Sequence, residues 1–505
     1  MPQFLFDLGK DDQPRKKGLK QMFKEWLMDQ VVYPKLDSSA GYILMVSFAL
    51  ALAYILGHGT LELATSLLGI VVFVPLLLWS FLQVRWGLVL ILIASCLLPA
   101  IKFSSGTIPM MEMMNVSVTV LLLGMVIQHL QRRDWRFLQQ STIFVLLLWL
   151  GHCAFMWMIP YLTFTSSPHS GLMGDASWLS LILVAAFVFY HSNALSDIGY
   201  ILIGLMGLSA CFGLIQVVQG FQPALFDWMM EVPSRYEALH LGTWIRPISF
   251  FDHPDTLGTF LAFGLPLMVA IQAYHDVALP TRIALGAGML LLLITLTFTA
   301  STIGIAAMII GLGMLSLLSL RISVIGMSAG IILLAFGLTW MPESWHLTQA
   351  AQAGWALDQL WAPIADTSMQ PLHYWIQHHA IGSGLGSLSG SNITTTQLFD
   401  MEWQGTYLRI ALESGWIGLV FYMLLMISIW VTGIRIYFRS ADAKQKGWVA
   451  AFFGGISAMI ICQFFHPVFE EPVLIVACCL GAGAWISYSA RYQAELPKST
   501  FAHIY

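Results

Sequence analysis

Long apolar runs separated by short polar segments dominate the chain from residue 41 to residue 489. A helix needs roughly 20 apolar residues to cross a bilayer. Because lipid cannot hydrogen-bond the backbone, runs of this kind must be helical. The pattern predicts an all-α integral membrane protein with about 12–14 transmembrane helices. Its candidate spans are 41–57, 66–82, 87–101, 116–130, 141–162, 179–191, 200–220, 256–274, 283–300, 303–320, 324–341, 416–434, 448–465 and 473–489.

The composition supports a membrane protein and argues against a separate soluble domain. Of the 505 residues, 58% are hydrophobic and only 10% are charged. A soluble domain has about 25% charged residues. All six cysteines fall within apolar runs, and none has the spacing of a metal site. We therefore expect the lipid bilayer as a partner, and neither a metal, another cofactor nor a nucleic acid.

The basic residues are distributed asymmetrically along the chain. If the N-terminal tail is cytoplasmic and the spans alternate, only Lys102, Arg235, Arg246 and Arg409 of the 23 Lys and Arg fall outside. The positive-inside rule then predicts that both termini are cytoplasmic. The predicted organisation is a cytoplasmic tail (1–40), N-terminal helices (41–220), an outer loop (221–255), central helices (256–341), a large outer loop (342–415), C-terminal helices (416–489) and a cytoplasmic tail (490–505).

The two long outer segments are the best candidates for a functional site, because loops of this length are usually functional. Five tryptophans lie in the second segment. They indicate short amphipathic helices on the membrane surface, or surfaces that stack on sugar rings. Both segments are rich in acidic residues, so an outer arginine stands out as a partner for phosphate. For Arg409 the alternative is a local pair with Glu413, four residues further on.

Three stretches on the predicted outer side resemble the O-antigen ligase and polymerase family of bacterial membrane glycosyltransferases. They are RPISFFDHPDTLGTFLAF from Arg246, HHAIGSGLGSL from His378 and QGTYLRIALESGWIGL from Gln404. The order, spacing and placement of these stretches carry the resemblance, which covers roughly the central third of the chain.

The chain departs from the family pattern at two positions. Gln404 stands where the family has its catalytic histidine, and a glutamine cannot accept a proton. The turn Ser301-Thr302-Ile303-Gly304 corresponds to a Ser-Arg-Gly turn but lacks the arginine. Polymerases of the family vary more at these positions, so the departures favour a polymerase over a ligase.

The resemblance implies a GT-C-like fold and an inverting, metal-free glycosyl transfer at the outer face of the bacterial inner membrane. The donor would be an undecaprenyl-diphosphate-linked glycan, and the acceptor a glycan or a lipid. Arginines would stabilise the departing diphosphate, and a base would take the proton of the acceptor. The candidate catalytic residues are Arg246, Arg409, Glu402, Gln404 and His379, and the candidate substrate-binding residues are His253, His378, Gly384, Gly386 and Tyr407.

Other interpretations stay open at this level. His253 could hydrogen-bond within the turn 252–255, His378 and His379 could cap a glycine turn, and Glu402 could be a solvated carboxylate. For the whole chain, the alternatives are a protein-directed oligosaccharyltransferase, a secondary transporter or flippase, and a non-catalytic membrane scaffold of a polysaccharide assembly system. The lack of an internal repeat argues against a transporter.

Overall fold

The computed structural model describes a helical bundle whose residues all belong to one compact unit, 74–505. In chain order its helices and strands are α1 (Val84–Ser105), α2 (Met110–Arg132), a 3-10 helix (Arg136–Gln139), α3 (Ser141–Thr163), α4 (Leu181–His191), α5 (Leu195–Gln219), β1 (His240–Leu241), β2 (Trp244–Ile245), α6 (Pro254–Tyr274), α7 (Leu279–Phe298), α8 (Thr302–Ser319), α9 (Ile322–Gly337), a 3-10 helix (Leu338–Trp340), α10 (His346–Gly354), α11 (Thr406–Arg439), α12 (Ala443–Cys462) and α13 (Pro472–Glu495). The described residues are 80–81, 83–105, 110–132, 136–163, 178–192, 195–221, 225–226, 230, 239–241, 244–341, 346–356, 405–465 and 471–495.

The helices confirm the prediction of an all-α, multi-pass membrane protein. Eight helices in the described residues are long and apolar enough to cross a membrane: α5, α6, α7, α8, α9, α11, α12 and α13. Shorter apolar segments lie in α1 to α4. Twelve of the fourteen predicted spans coincide with these helices, whereas 41–57 and nearly all of 66–82 lie outside the described residues. The only strands in the described part are the two-residue pair β1 and β2, which is antiparallel.

Most helices begin before the predicted membrane boundaries, and α6 and α11 show why. α6 begins at Pro254 because the ring of His253 accepts a hydrogen bond from the backbone N–H of Asp255 and proline suits the first helical position. α11 begins at Thr406, well inside the segment predicted as an outer loop, and is broken at Gly415. Hydropathy marks where lipid begins, and a helix can start before that point.

α6 is the central helix of the bundle. Within its most apolar window 89% of the residues are buried, compared with 28% for α7 and 22% for the span that contains α9. α6 packs against α7, α8 and α12, and α13 packs closely against α4. Many apolar side chains of α7 and α9 are thus exposed, which suits contact with lipid.

Basic side chains collect at one end of the bundle, where α6, α8, α11 and α13 end and α5 and α12 begin. Arg85 forms an ion pair with Asp197 at 2.7 Å. The guanidinium of Arg321 lies 4.0 Å above the ring of Tyr274. Arg491 donates hydrogen bonds to the last carbonyl groups of α4. We call this end the basic end, and the opposite end, where α6, α8, α11 and α13 begin, the motif end.

Candidate functional site

Arg246 joins three elements at the motif end. Its Nε donates to the carbonyl oxygen of Thr299 at 2.6 Å, and one terminal nitrogen donates to Asp255 Oδ1 at 3.0 Å and to the carbonyl oxygen of Ala300 at 3.4 Å. Its side chain is 15% exposed and that of Asp255 is 8% exposed. The C-terminus of α7 carries partial negative charge, so the guanidinium compensates both this helix end and a carboxylate. Arg246 thereby ties β2 to the start of α6 and the end of α7.

The first turn of α6 extends this polar group to α13. His253 Nδ1 accepts the backbone N–H of Asp255 at 3.2 Å, which confirms the hydrogen bond within the turn as the local role of this histidine. About a third of its side chain stays exposed. Thr256 Oγ1 donates to Glu471 Oε1 at 2.7 Å, just before α13 begins. Arg246 and His253 are thus brought together around one carboxylate.

Unusual backbone conformations flank Arg246 and its contacts. Three non-glycine residues have positive φ in the described part of the chain, and two of them are Ser249 (φ 55°) and Ala300 (φ 48°). The side chain of Gln216 stabilises the turn at Ser249. Its amide oxygen accepts hydrogen bonds from the N–H groups of Ile248 and Ser249, and its amide nitrogen donates to the Ser249 carbonyl oxygen. Each such conformation costs on the order of 1–3 kcal/mol, and they concentrate at functional sites.

The start of α11 places two more candidates at the motif end. Tyr407 is buried, its hydroxyl donates to the carbonyl oxygen of Ile460 at 2.9 Å, and its ring lies 4.3 Å from that of Phe464. Arg409 Nε donates to Glu413 Oε1 at 3.2 Å, which confirms the predicted local pair. Glu413 is only 1% exposed, so Arg409 compensates a buried carboxylate.

Two glycines of the Gln404–Leu419 stretch have specific structural tasks. A Cβ added at Gly405 would lie less than 3.0 Å from the backbone of Gln463 and Phe464, so α11 approaches the end of α12 closely there. Gly415 has φ 69° and ψ −172°, a region that only glycine adopts readily. At this break, the carbonyl oxygen of Ser414 accepts a hydrogen bond from His152 Nε2 at 3.2 Å.

Six candidates lie outside the described residues: His378, His379, Gly384, Gly386, Glu402 and Gln404. The residues on either side of their segment, 357–404, are described. Before it, α10 contacts the α7–α8 turn, where Thr302 Oγ1 donates to the Ala353 carbonyl oxygen at 3.4 Å and Gly354 faces Ala300. After it, Gly405 lies against the end of α12. The segment therefore leaves and re-enters the described structure at the motif end.

Sequence reasoning missed several members of this polar group. Asp255 lies inside the stretch that carried the resemblance, and its place in the first turn of a helix is a usable signal. Glu471 lies next to a proline at the start of an apolar run, which also marks a helix start. No local signal points to Gln216 or His152, because their partners are distant in sequence.

The chemistry available at the motif end is ion pairing and hydrogen bonding. In the described residues no group of three His, Cys, Asp or Glu side chains could hold a metal ion. Ser301 caps α8 by accepting from the N–H of Gly304 at 2.9 Å. This is the turn that lacks the arginine of the family pattern, and Arg246 reaches the carbonyl groups just before it.

No family model and no curated protein matches the sequence. The functional assignment therefore depends on the residues and their geometry.

Proposed function

We propose that this protein is a membrane glycosyltransferase that polymerises or ligates undecaprenyl-diphosphate-linked oligosaccharide units of a surface polysaccharide, with polymerisation favoured. One observation carries the proposal. Both flanks of segment 357–404, which holds six candidate residues, join the bundle at the end where Arg246, His253, Tyr407 and Arg409 lie. A GT-C-like arrangement, with outer segments placed over one end of a helical bundle, agrees with this placement.

The reaction needs stabilisation of a leaving diphosphate. The acceptor hydroxyl attacks the anomeric carbon, the bond from that carbon to the diphosphate oxygen breaks, and undecaprenyl diphosphate leaves with the bonding electrons. The proton of the hydroxyl passes to a base, for which Glu402 and His379 are the candidates. Arg246 and Arg409 each already compensate a carboxylate. The N-termini of α6, α8, α11 and α13 lie at the same end and add further positive potential for the diphosphate.

An apolar cavity beside Tyr407 suits the isoprenoid part of such a donor. It has a volume of about 200 Å³ and is lined mainly by apolar side chains of α11 and α12, among them Met423, Trp430 and Ile460, and by Phe464 just after α12. Tyr407 lines the cavity near the start of α11, whereas Met423 to Trp430 line it farther along the same helix. An isoprenoid segment held there would place its diphosphate near the motif end.

We further propose that the motif end faces outward from a bacterial inner membrane and that both termini are cytoplasmic. The clustering of basic side chains at the opposite end supports this orientation. In a variant without the six native cysteines, we expect an impermeant thiol reagent to label single cysteines within 221–255 and 342–415. Single cysteines within 131–140 and 435–447 should stay unlabelled. Labelling of 435–447 in intact cells would reverse the orientation.

Substitutions at three positions test which side chain of the outer segment takes the acceptor proton. We expect Gln404→Ala to reduce polysaccharide extension moderately and Gln404→His to be tolerated, because Gln404 would only orient the acceptor. Loss of the base costs roughly 10²–10³-fold or more in rate, so either Glu402→Ala or His379→Ala should nearly abolish extension. The measurement is polymer length in cells that lack the native gene. Wild-type behaviour of Gln404→Ala, Glu402→Ala and His379→Ala would place the site elsewhere.

A further inference from the structure

A second site candidate lies at the basic end, away from the proposed transfer site. A cavity of about 620 Å³ opens there between the start of α5, the α6–α7 turn, the start of α12 and the end of α13. Four charged side chains line it, two of each sign: Lys444, Arg491, Asp276 and Asp442. Aromatic side chains form much of the remaining wall, among them Tyr200, Trp448 and Tyr492.

The two positive groups of the cavity differ in the hydrogen bonds and ion pairs that they already make. Arg491 donates to the carbonyl oxygens of Phe189, Tyr190 and Ser192 at 2.6–3.1 Å, so its guanidinium is held in place at the end of α4. Lys444 is exposed, and no carboxylate of the described residues lies within ion-pair distance of its amine. Its ammonium group is therefore available to an anionic ligand.

One negative group, Asp276, lies on a wall that carries neither positive group, whereas the other, Asp442, lies two residues before Lys444 at the start of α12. Asp276 is exposed in the α6–α7 turn. Asp442 caps α12 by accepting from the N–H groups of Lys444 and Gln445. His275, between these walls, adds no charge at neutral pH, because burial lowers its pKa below the usual 6.5. The cavity thus offers positive and negative groups without a net excess of either, and Asp276 is the carboxylate on a wall apart from the two positive groups.

An exposed stripe on α5 continues from the cavity along the membrane-spanning part of that helix. Tyr200, Leu208 and Ile215 lie on this stripe and are 46%, 50% and 46% exposed. At Gly204, between the first two, an added Cβ would meet no side chain or neighbouring helix of the described residues within 4 Å. The spacing of three or four residues puts these positions on one face, and the gap at Gly204 leaves room for an acyl chain.

We propose that the cavity binds the phosphoethanolamine headgroup of a phospholipid in the leaflet at the basic end. The phosphate binds to Lys444 and Arg491, and the ammonium binds to Asp276 on the α6–α7 wall. The acyl chains follow the exposed face of α5. A tyrosine- and tryptophan-lined wall suits this level of the membrane, where such side chains accumulate. A soluble phosphodiester shares the headgroup chemistry but makes no use of the α5 stripe.

Lipid titration of the purified full-length protein tests the proposal, with native mass spectrometry as the readout. We expect phosphatidylethanolamine to bind about tenfold more tightly than phosphatidylglycerol, which has no ammonium group for the carboxylates. Soluble glycerophosphoethanolamine should bind far more weakly than the lipid. Equal affinity for the two lipids would overturn the headgroup assignment, and equal affinity for the soluble compound would overturn the assignment to a lipid.

Two variants at exposed positions test the contacts to the phosphate and to the ammonium separately. Lys444→Gln should weaken binding of both lipids by about tenfold, whereas Asp276→Asn should weaken only phosphatidylethanolamine and so reduce the selectivity. Lys446→Gln is the matched control, because Lys446 lies over the ring of Tyr437 and does not line the cavity. Unchanged binding in both Lys444→Gln and Asp276→Asn, or an equal loss in Lys446→Gln, would contradict the proposal.

Discussion

Replacing Arg246 by alanine is expected to abolish glycan transfer and also to destabilise the bundle. The substitution removes the guanidinium from Asp255 and from the carbonyl groups of Thr299 and Ala300. Leaving a largely buried carboxylate without its partner lowers the free energy of unfolding by about 3 kcal/mol. If the same arginine stabilises the departing diphosphate, its loss reduces the rate by a further 10²–10³-fold or so. Thermal unfolding in detergent and polymer length in cells measure the two effects separately.

Arg246→Lys separates the two roles of this residue. A lysine retains the charge beside Asp255 and should recover part of the stability, but a point charge does not reproduce the planar fork that contacts several oxygens at once. We therefore expect a folded protein with little activity. Arg282→Ala is the matched control, since Arg282 is exposed near the basic end and should affect neither property. Near-normal polymer from Arg246→Ala would remove this residue from the mechanism.

Replacing Gly405 by alanine is expected to destabilise the junction between α11 and α12 by about 2–3 kcal/mol. The added Cβ would lie closer than 3.0 Å to backbone atoms of Gln463 and Phe464, which cannot move aside as a flexible side chain would. Relief requires a shift of the start of α11, and with it Tyr407, Arg409 and the end of segment 357–404. We therefore expect a loss of glycan transfer along with the lower unfolding temperature.

Gly286→Ala is the control for this substitution. A Cβ at Gly286 would meet no neighbouring atom of the described residues within 4 Å, and alanine favours a helix interior over glycine by up to about 1 kcal/mol. Gly286→Ala should thus be neutral or slightly stabilising. If Gly405→Ala had the same stability and activity as Gly286→Ala, the close approach at the start of α11 would matter for neither property.

The fold class followed from the sequence because lipid leaves the backbone few choices. Apolar runs must become helices, and twelve of the predicted spans coincide with helices of the structure. Local geometry was also predictable where it depends on near neighbours in sequence. The pair Arg409–Glu413 follows from four-residue spacing on a helix, and the His253 hydrogen bond lies within a single turn.

The contacts that build the motif end depend on distant partners and could not be predicted in this way. Arg246 contacts carbonyl groups more than fifty residues away, and Thr256 pairs with Glu471 across the bundle. The break at Gly415 lies at the boundary between the predicted outer loop 342–415 and the predicted span 416–434, and hydropathy gave no sign of the helical turns that precede it from Thr406. Whether Arg246 pairs with a carboxylate or stays open to a ligand depends on which helix ends meet, and hydropathy carries no such information.

The most direct test of the proposed function uses the purified protein in lipid vesicles and the carrier-linked glycan that accumulates in cells lacking it. Glycosyl transfer predicts that the donor is consumed, that free undecaprenyl diphosphate appears in equal amount, and that the glycan product lengthens or moves to its acceptor. The Arg246→Ala variant should release no undecaprenyl diphosphate above background. Movement of intact carrier-linked glycan across the vesicle membrane, with no release of undecaprenyl diphosphate, would contradict the account and identify a transporter.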